Sequence, residues 1–190
     1  MKKTLLFETI TLAVLSLTGC SCERVTNYFI GNQSSVEETK DSNQEYKYDD
    51  FVVLIASANL SFDYEKCTES VVSNGETETH VYTYDKENNN WYYVDEVNDI
   101  TTTTNLDIKA FLKQCKDIAT QIGKDIDDAF KFLTSSDNYV IKSHFSYDSK
   151  QVDGQYEFNA SGLMTSFDTK ETDLDLIETS IYKATYSYYK

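Results

Sequence analysis

The chain has 190 residues, 32 of them acidic against 17 basic, for a net charge of −15. That balance excludes nucleic-acid binding by phosphate neutralisation and makes an anionic lipid surface repulsive to the folded part; it reads as a solvated, soluble surface rather than a seat for one cationic partner. The absence of proline and the scarcity of glycine exclude a proline-rich linker, a collagen-like tract and a glycine-rich phosphate loop, while 15 tyrosines and 10 phenylalanines favour strands.

At the N-terminus Lys2 and Lys3 precede an apolar run from Leu5 to Leu17, marred only by Glu8, and small residues then lead to Cys20. Charge, length and cleavage chemistry are those of a secretory signal, and the run is too short to span a bilayer as a mature helix. Leu17-Thr18-Gly19-Cys20 resembles the lipobox of bacterial lipoproteins. The resemblance implies that residues 1–19 are a lipoprotein signal peptide. Cys20 would then receive a diacylglyceryl thioether, palmitate-type chains included, and become the mature N-terminus. It also implies a place on the extracytoplasmic face of the cell membrane, since two acyl chains suffice for stable anchoring. The competing reading is a secretory signal that happens to end in cysteine. Cleavage after Gly19 leaves 171 residues, enough for one domain with one core, with 15 basic against 31 acidic residues.

Residues 20–47 read as the lipidated cysteine and a flexible tether, because Ser21 to Lys47 is polar and includes Gly31-Asn32-Gln33-Ser34-Ser35. A disordered tether of that length reaches on the order of 30 Å. Residues 48–190 form a single α+β domain in this reading.

The domain opens with a helix after Asp49, a good N-cap, with Phe51, Leu54, Ile55 and Ala58 on one face; the continuously apolar Phe51 to Ala56 also fits a buried strand, but Ala56, Ala58 and the cap fit the helix better. A first strand spans Ser61 to Ser73. His80, Tyr82 and Tyr84 then alternate with Thr79, Val81 and Thr83, and a turn-rich Asp85–Asn90 returns the chain through Trp91 to Val94, which is a hairpin. Asn105 to about Lys124 is helical, with Leu106, Ala110, Leu112 (offset), Cys115, Ile118, Ala119 and Ile122 near one stripe and Gly123 as C-terminal cap. A shorter helix over Asp125–Leu133 turns Ile126, Ala129, Phe130 and Leu133 inward. The last third is β: Tyr139, Ile141, Phe145 and Tyr147 share a face, Tyr156 and Phe158 lead into an Asn159-Ala160-Ser161-Gly162 turn, Leu163 to Asp168 returns, and Ile177 to Tyr189 is a long final strand. Strand runs separated by helices, with hairpin-length turns, imply a curved antiparallel sheet covered on one face by two or three helices.

Few residues carry chemistry. Cys22 lies on the tether, while Cys67 and Cys115 read either as a disulfide in an exported protein or as two buried thiols. His80 and His144 sit on strands without ligand-like spacing, so they read as ordinary strand histidines and no metal or cofactor is expected. Asp85, Glu87, Asn89 and Glu96 match positions of a calcium-loop template, but Asn90 stands where glycine is required and the flanks are strands, so the segment reads as an acidic hairpin. No nucleophile–base set is visible, and the chain is not expected to be an enzyme.

Tyr182, Tyr186 and Tyr188 fall on one face of the last strand. That stripe admits two readings: cross-strand core, or the lining of an apolar cavity between sheet and helices. The helix at Tyr48-Asp49-Asp50-Phe51, the helical pair and the strands around Phe158-Asn159-Ala160-Ser161-Gly162-Leu163 together are similar to small uncharacterised lipoproteins of low-GC Gram-positive bacteria. Their architecture resembles the LolA-like half-barrel of lipoprotein and lipid carriers. The resemblance covers about residues 48–189 and implies a binding module for an apolar or amphipathic ligand. The other reading is a surface interaction or structural lipoprotein with a filled core and a protein partner.

Overall fold

The computed structural model describes residues 44–73, 75–95, 100–136 and 138–190; the signal, Cys20, Cys22 and most of the proposed tether lie outside them. Ten strands form one all-antiparallel sheet: β1 (Gln44–Tyr46), β2 (Lys66–Ser73), β3 (Glu76–Asp85), β4 (Asn90–Asp95), β5 (Ile100–Thr104), β6 (Phe130–Ser135), β7 (Asn138–Tyr147), β8 (Lys150–Phe158), β9 (Met164–Asp173) and β10 (Glu178–Tyr189). Three helices accompany it: α1 (Tyr48–Ser57), α2 (Ile108–Ile122) and the four-residue α3 (Ile126–Ala129). The strand order is β1-β6-β7-β8-β9-β10-β2-β3-β4-β5. Two meanders, β2–β5 and β6–β10, are therefore joined where β10 pairs with β2, and the result is an open, curved sheet.

Alternation decides which face is buried. Phe130 and Phe132, Ile141 and Phe145, Phe167 and Thr169, Cys67, Glu69 and Val71, and His80 and Tyr82 all point to one inner face, and their sequence neighbours are mostly exposed. The long helix α2 buries Ile108, Leu112, Cys115, Ile118 and Ala119, starts at Asp107, whose carboxylate accepts from the Lys109 and Ala110 N–H groups, and ends at Gly123 in the left-handed conformation at φ 67°. Rings tie the helices to the β6–β8 half of the inner face: Phe51 of α1 packs 5.4 Å from Phe132, and Phe111 of α2 packs 4.5 Å from Tyr156. Ring contacts on the other half come from the α1–β2 connection, where Phe62 meets Tyr84 and Trp91, and Tyr64 meets Tyr188.

Several expectations need correction. The segment Asp125–Leu133 is not a helix throughout. α3 stops at Ala129, and Phe130, Phe132 and Thr134 continue as strand β6 between β1 and β7. Asp49 does not cap α1. Lys47 occupies that position without a side-chain bond, and the Tyr48 N–H is instead accepted at 2.8 Å by Asp127. The first strand after α1 begins at Lys66 rather than Ser61. Gln44–Tyr46, within the segment read as tether, pairs with β6, and Ile100–Thr104 adds an edge strand beside β4.

Candidate functional site

Within β2, Cys67, Glu69 and Val71 share the inner face, so one carboxylate is carried into an otherwise apolar row. Glu69 is only 3% exposed. A carboxylate taken out of water must be hydrogen-bonded to be tolerated, and three neighbours supply the bonds. Tyr186 on β10 donates its hydroxyl to Oε1 at 2.6 Å, Tyr82 on β3 donates to Oε2 at 3.0 Å, and His80 Nδ1 lies 3.3 Å from the same Oε2. The antiparallel register sets these neighbours side by side, since Tyr186 is opposite Glu69 on one flank and His80 is opposite it on the other. Nε2 of His80 looks outward to Glu78 at 3.9 Å, and the Tyr93 ring closes over the imidazole at 4.8 Å between centroids.

Electrostatics follow from burial. Desolvation, reinforced by the Glu69 charge, drives the Tyr186 and Tyr82 phenols far above their ordinary range, so both stay protonated and available as donors. Tyr188 lies one pair along, opposite Cys67, and is likewise raised by burial first; its hydroxyl donates to the Met164 carbonyl at 2.5 Å. Burial pushes the Cys67 thiol up to about 12 and Cys115 well above its usual value. Both cysteines are free and buried, which is the thiol alternative rather than the disulfide.

The three tyrosines named from the sequence do share the inner face with buried Ala184, while Ile181, Lys183 and Thr185 face outward. Tyr186 packs 6.4 Å from Phe167, and Tyr188 lies 5.5 Å from both Trp91 and Tyr64. These ring partners belong to the sheet and the α1–β2 connection. Tyr93 and Tyr186 stay half-buried beside the fully enclosed Glu69 cluster, and Tyr182, opposite Ser73, is half-buried further along the same face.

A cleft of about 590 Å³ lies on the other side of the sheet, over β6–β9. Its charged lining comes from outward positions, among them Lys131, Lys142, His144, Asp153, Asp168 and Lys170, with Gly154 between them. Tyr182, Tyr186 and Tyr188 do not line it.

His80 enters the buried cluster, and His144 pairs with Asp153 on the exposed face. Asp85 of the calcium-like loop spends its carboxylate on the turn, accepting from the Glu87 and Asn88 N–H groups and from the Asn88 side chain; Glu96 is outside the described residues. Among the described residues no group of His, Cys, Asp and Glu side chains has the arrangement to hold a metal ion, and no helix is long and apolar enough to cross a membrane. Sequence reasoning missed Glu69. The available signal was a carboxylate in phase with Cys67 and Val71 on an alternating strand.

No protein-family model matches the chain, and no curated protein matches it in sequence.

Proposed function

We propose that the chain is a lipid-anchored extracytoplasmic lipoprotein, held in the membrane by Cys20. In this reading it is a non-catalytic binding module for an apolar or amphipathic ligand seated against the inner face of β10, β2, β3 and β4. The observation that carries the reading is Glu69. A carboxylate buried with three polar partners costs desolvation that an apolar residue of similar size would avoid, so its presence in a sheet core is poor evidence of selection for stability alone. The half-buried rings of Tyr93 and Tyr186 stand beside it, with Tyr182 further along the same face. They offer an apolar body a stacking surface, and the His80–Glu78 edge offers its polar end a rim.

The open, all-antiparallel sheet and the ring contacts of Phe51 and Phe111 with its inner face support a half-barrel of the LolA-like kind, with helices over that face. Fold alone does not give function, so the carrier analogy rests on the aromatic surface. The second reading, a surface interaction lipoprotein with a filled core, draws its support from the complete burial of Cys67 and Trp91 beside the same tyrosines.

Native mass spectrometry of the full chain extracted from membranes in mild detergent tests both parts. The expected spectrum shows a diacylglyceryl mass on Cys20 and a second, non-covalent apolar adduct; Cys20→Ser removes the first and leaves the second. An unmodified Cys20, or a wild-type chain free of any non-covalent adduct, counts against the corresponding half of the reading.

A further inference from the structure

The hairpin that joins β9 to β10 breaks two local rules at once. Leu174 to Ile177 separate the paired Asp173 and Glu178. Leu174, Leu176 and Ile177 are 54%, 66% and 88% exposed, so three large aliphatic side chains stand together in water at a turn, where polar residues are the rule. Ile177 also adopts the left-handed conformation at φ 56°, which crowds a β-branched side chain against its own backbone. The other non-glycine residues in that conformation among the described ones are Asn89, Ser136 and Asp148, all short and polar. Asparagine or glycine at position 177 would close the same turn with less strain, and an isoleucine so exposed gains no burial in return. The tip is nonetheless held in one shape. The Asp173 carboxylate accepts from the Asp175 and Leu176 N–H groups at 3.0 Å each, and the Leu174 N–H donates to the Ser149 carbonyl at 2.7 Å in the neighbouring β7–β8 turn. Strain kept where neither packing nor turn chemistry accounts for it points to function, and a preformed apolar tip lowers the ordering cost of a docking contact.

We infer that the β9–β10 tip docks onto a protein partner, whose apolar pocket receives Leu174, Leu176 and Ile177 and whose rim carries lysine or arginine. Charge selects that occupant. Exposed Asp175 and Glu178 flank the apolar side chains, and exposed Asp148 lies in the adjoining turn; Lys150, which follows that turn, is already engaged by Glu171. Such an acidic collar is repelled by anionic lipid heads, and by the same collar on a second copy of a chain of net charge −15, whereas a basic rim attracts it. The inference stands apart from the inner-face reading and from the anchor.

The test places a diazirine-bearing residue at position 176 of the full chain, in cells that make it, and identifies the photoadduct by mass spectrometry; the same probe at exposed Lys113 on α2 is the control. One discrete protein adduct specific to position 176 is expected. The captured protein, once purified, binds the wild-type chain with an affinity that falls with added salt, and falls about tenfold or more both in Leu174→Ser/Ile177→Asn and in Asp175→Lys/Glu178→Lys. Asparagine suits the left-handed position and both apolar sites are exposed, so the unfolding midpoint of Leu174→Ser/Ile177→Asn drops by no more than about a degree or two; lost binding there is not lost folding. Adducts with phospholipid alone, adducts between two copies of the chain, the absence of an adduct specific to position 176, or a captured protein that binds either double variant as tightly as wild type overturn the assignment.

Discussion

Glu69 illustrates how one side chain sets the character of a region. Its carboxylate fixes the hydroxyls of Tyr82 and Tyr186 on two different strands and orients His80 between itself and solvent-facing Glu78. Because the tyrosine pKa values are raised by burial, their effect on stability has a definite sign. In the unfolded chain a phenol ionises near pH 10 and a thiol near 8.5. In the fold, Tyr156 is held to about 12, Cys67 to about 12, and Tyr82, Tyr186 and Tyr188 higher still. Below the unfolded values these groups are protonated in both states and their contribution to stability is fully present. It is lost as pH rises through the gap between unfolded and folded values. Urea unfolding at stepped pH should therefore give a stability that does not fall on account of these groups up to pH 8, begins to decline near pH 9 and drops steeply beyond pH 10. A midpoint independent of pH from 8 to 11 contradicts the burial of these hydroxyls and thiols.

Among the elements, the β6–β9 meander is the best example of register set by small residues. Gly154 lies opposite Ser143 and Thr169 in the pairing, and the ring and hydroxyl of Tyr156 fold over it, each 3.1 Å from where a Cβ would stand. Tyr156 Oη draws close enough to Ser143 to pull slightly against the burial that raises its pKa, but the Ser143 hydroxyl has no partner within hydrogen-bond geometry. Gly154→Ala should cost about 1–3 kcal/mol, as an overpacked core position does, and Gly154→Ala/Ser143→Ala should recover part of it because the closest clash is with that hydroxyl. Equal stability of the wild type and Gly154→Ala in denaturant titrations is the contrary outcome.

At this scale the sequence was a good guide wherever one period stood alone. The β3–β4 hairpin, the α2 stripe with its Gly123 cap and the tyrosine face of β10 follow directly from alternation or 3.6-residue spacing. Segment 125–133 failed because Ile126, Ala129, Phe130 and Leu133 fit a helical stripe while Phe130, Phe132 and Thr134 fit a strand; pairing with β1 and β7, a tertiary matter, decided it. Strand β1 is three polar residues, and only its partner β6 gives it a reason to be extended. The candidate site was half legible. Tyr186 and Tyr188 announce themselves by spacing, but their ring partners come from distant segments, and Glu69 looks like any surface acid until its phase with Cys67 and Val71 is noticed.

For the molecule as a whole, the two faces of one sheet differ in chemistry. The inner face gathers aromatic rings around a buried carboxylate, and the outer face holds a cleft lined by lysines and aspartates together. Both sheet edges, β1 and β5, are short, at three and five residues, which limits edge-to-edge association. The proposed ligand seat turns on how tightly the half-buried tyrosines are packed, and Tyr186→Ala measures that directly when unfolding free energy and uptake of an apolar fluorescent dye are read on the same protein. If the tyrosine face is a binding surface, the wild-type chain takes up dye, the variant does not, and the variant loses less than about 3 kcal/mol relative to Tyr186→Phe, which already lacks the hydroxyl bonded to Glu69, because the ring had few close neighbours to lose. A loss of about 3–5 kcal/mol, the range for truncating a ring in a filled core, in a protein that takes up no dye in either form contradicts the binding-module reading.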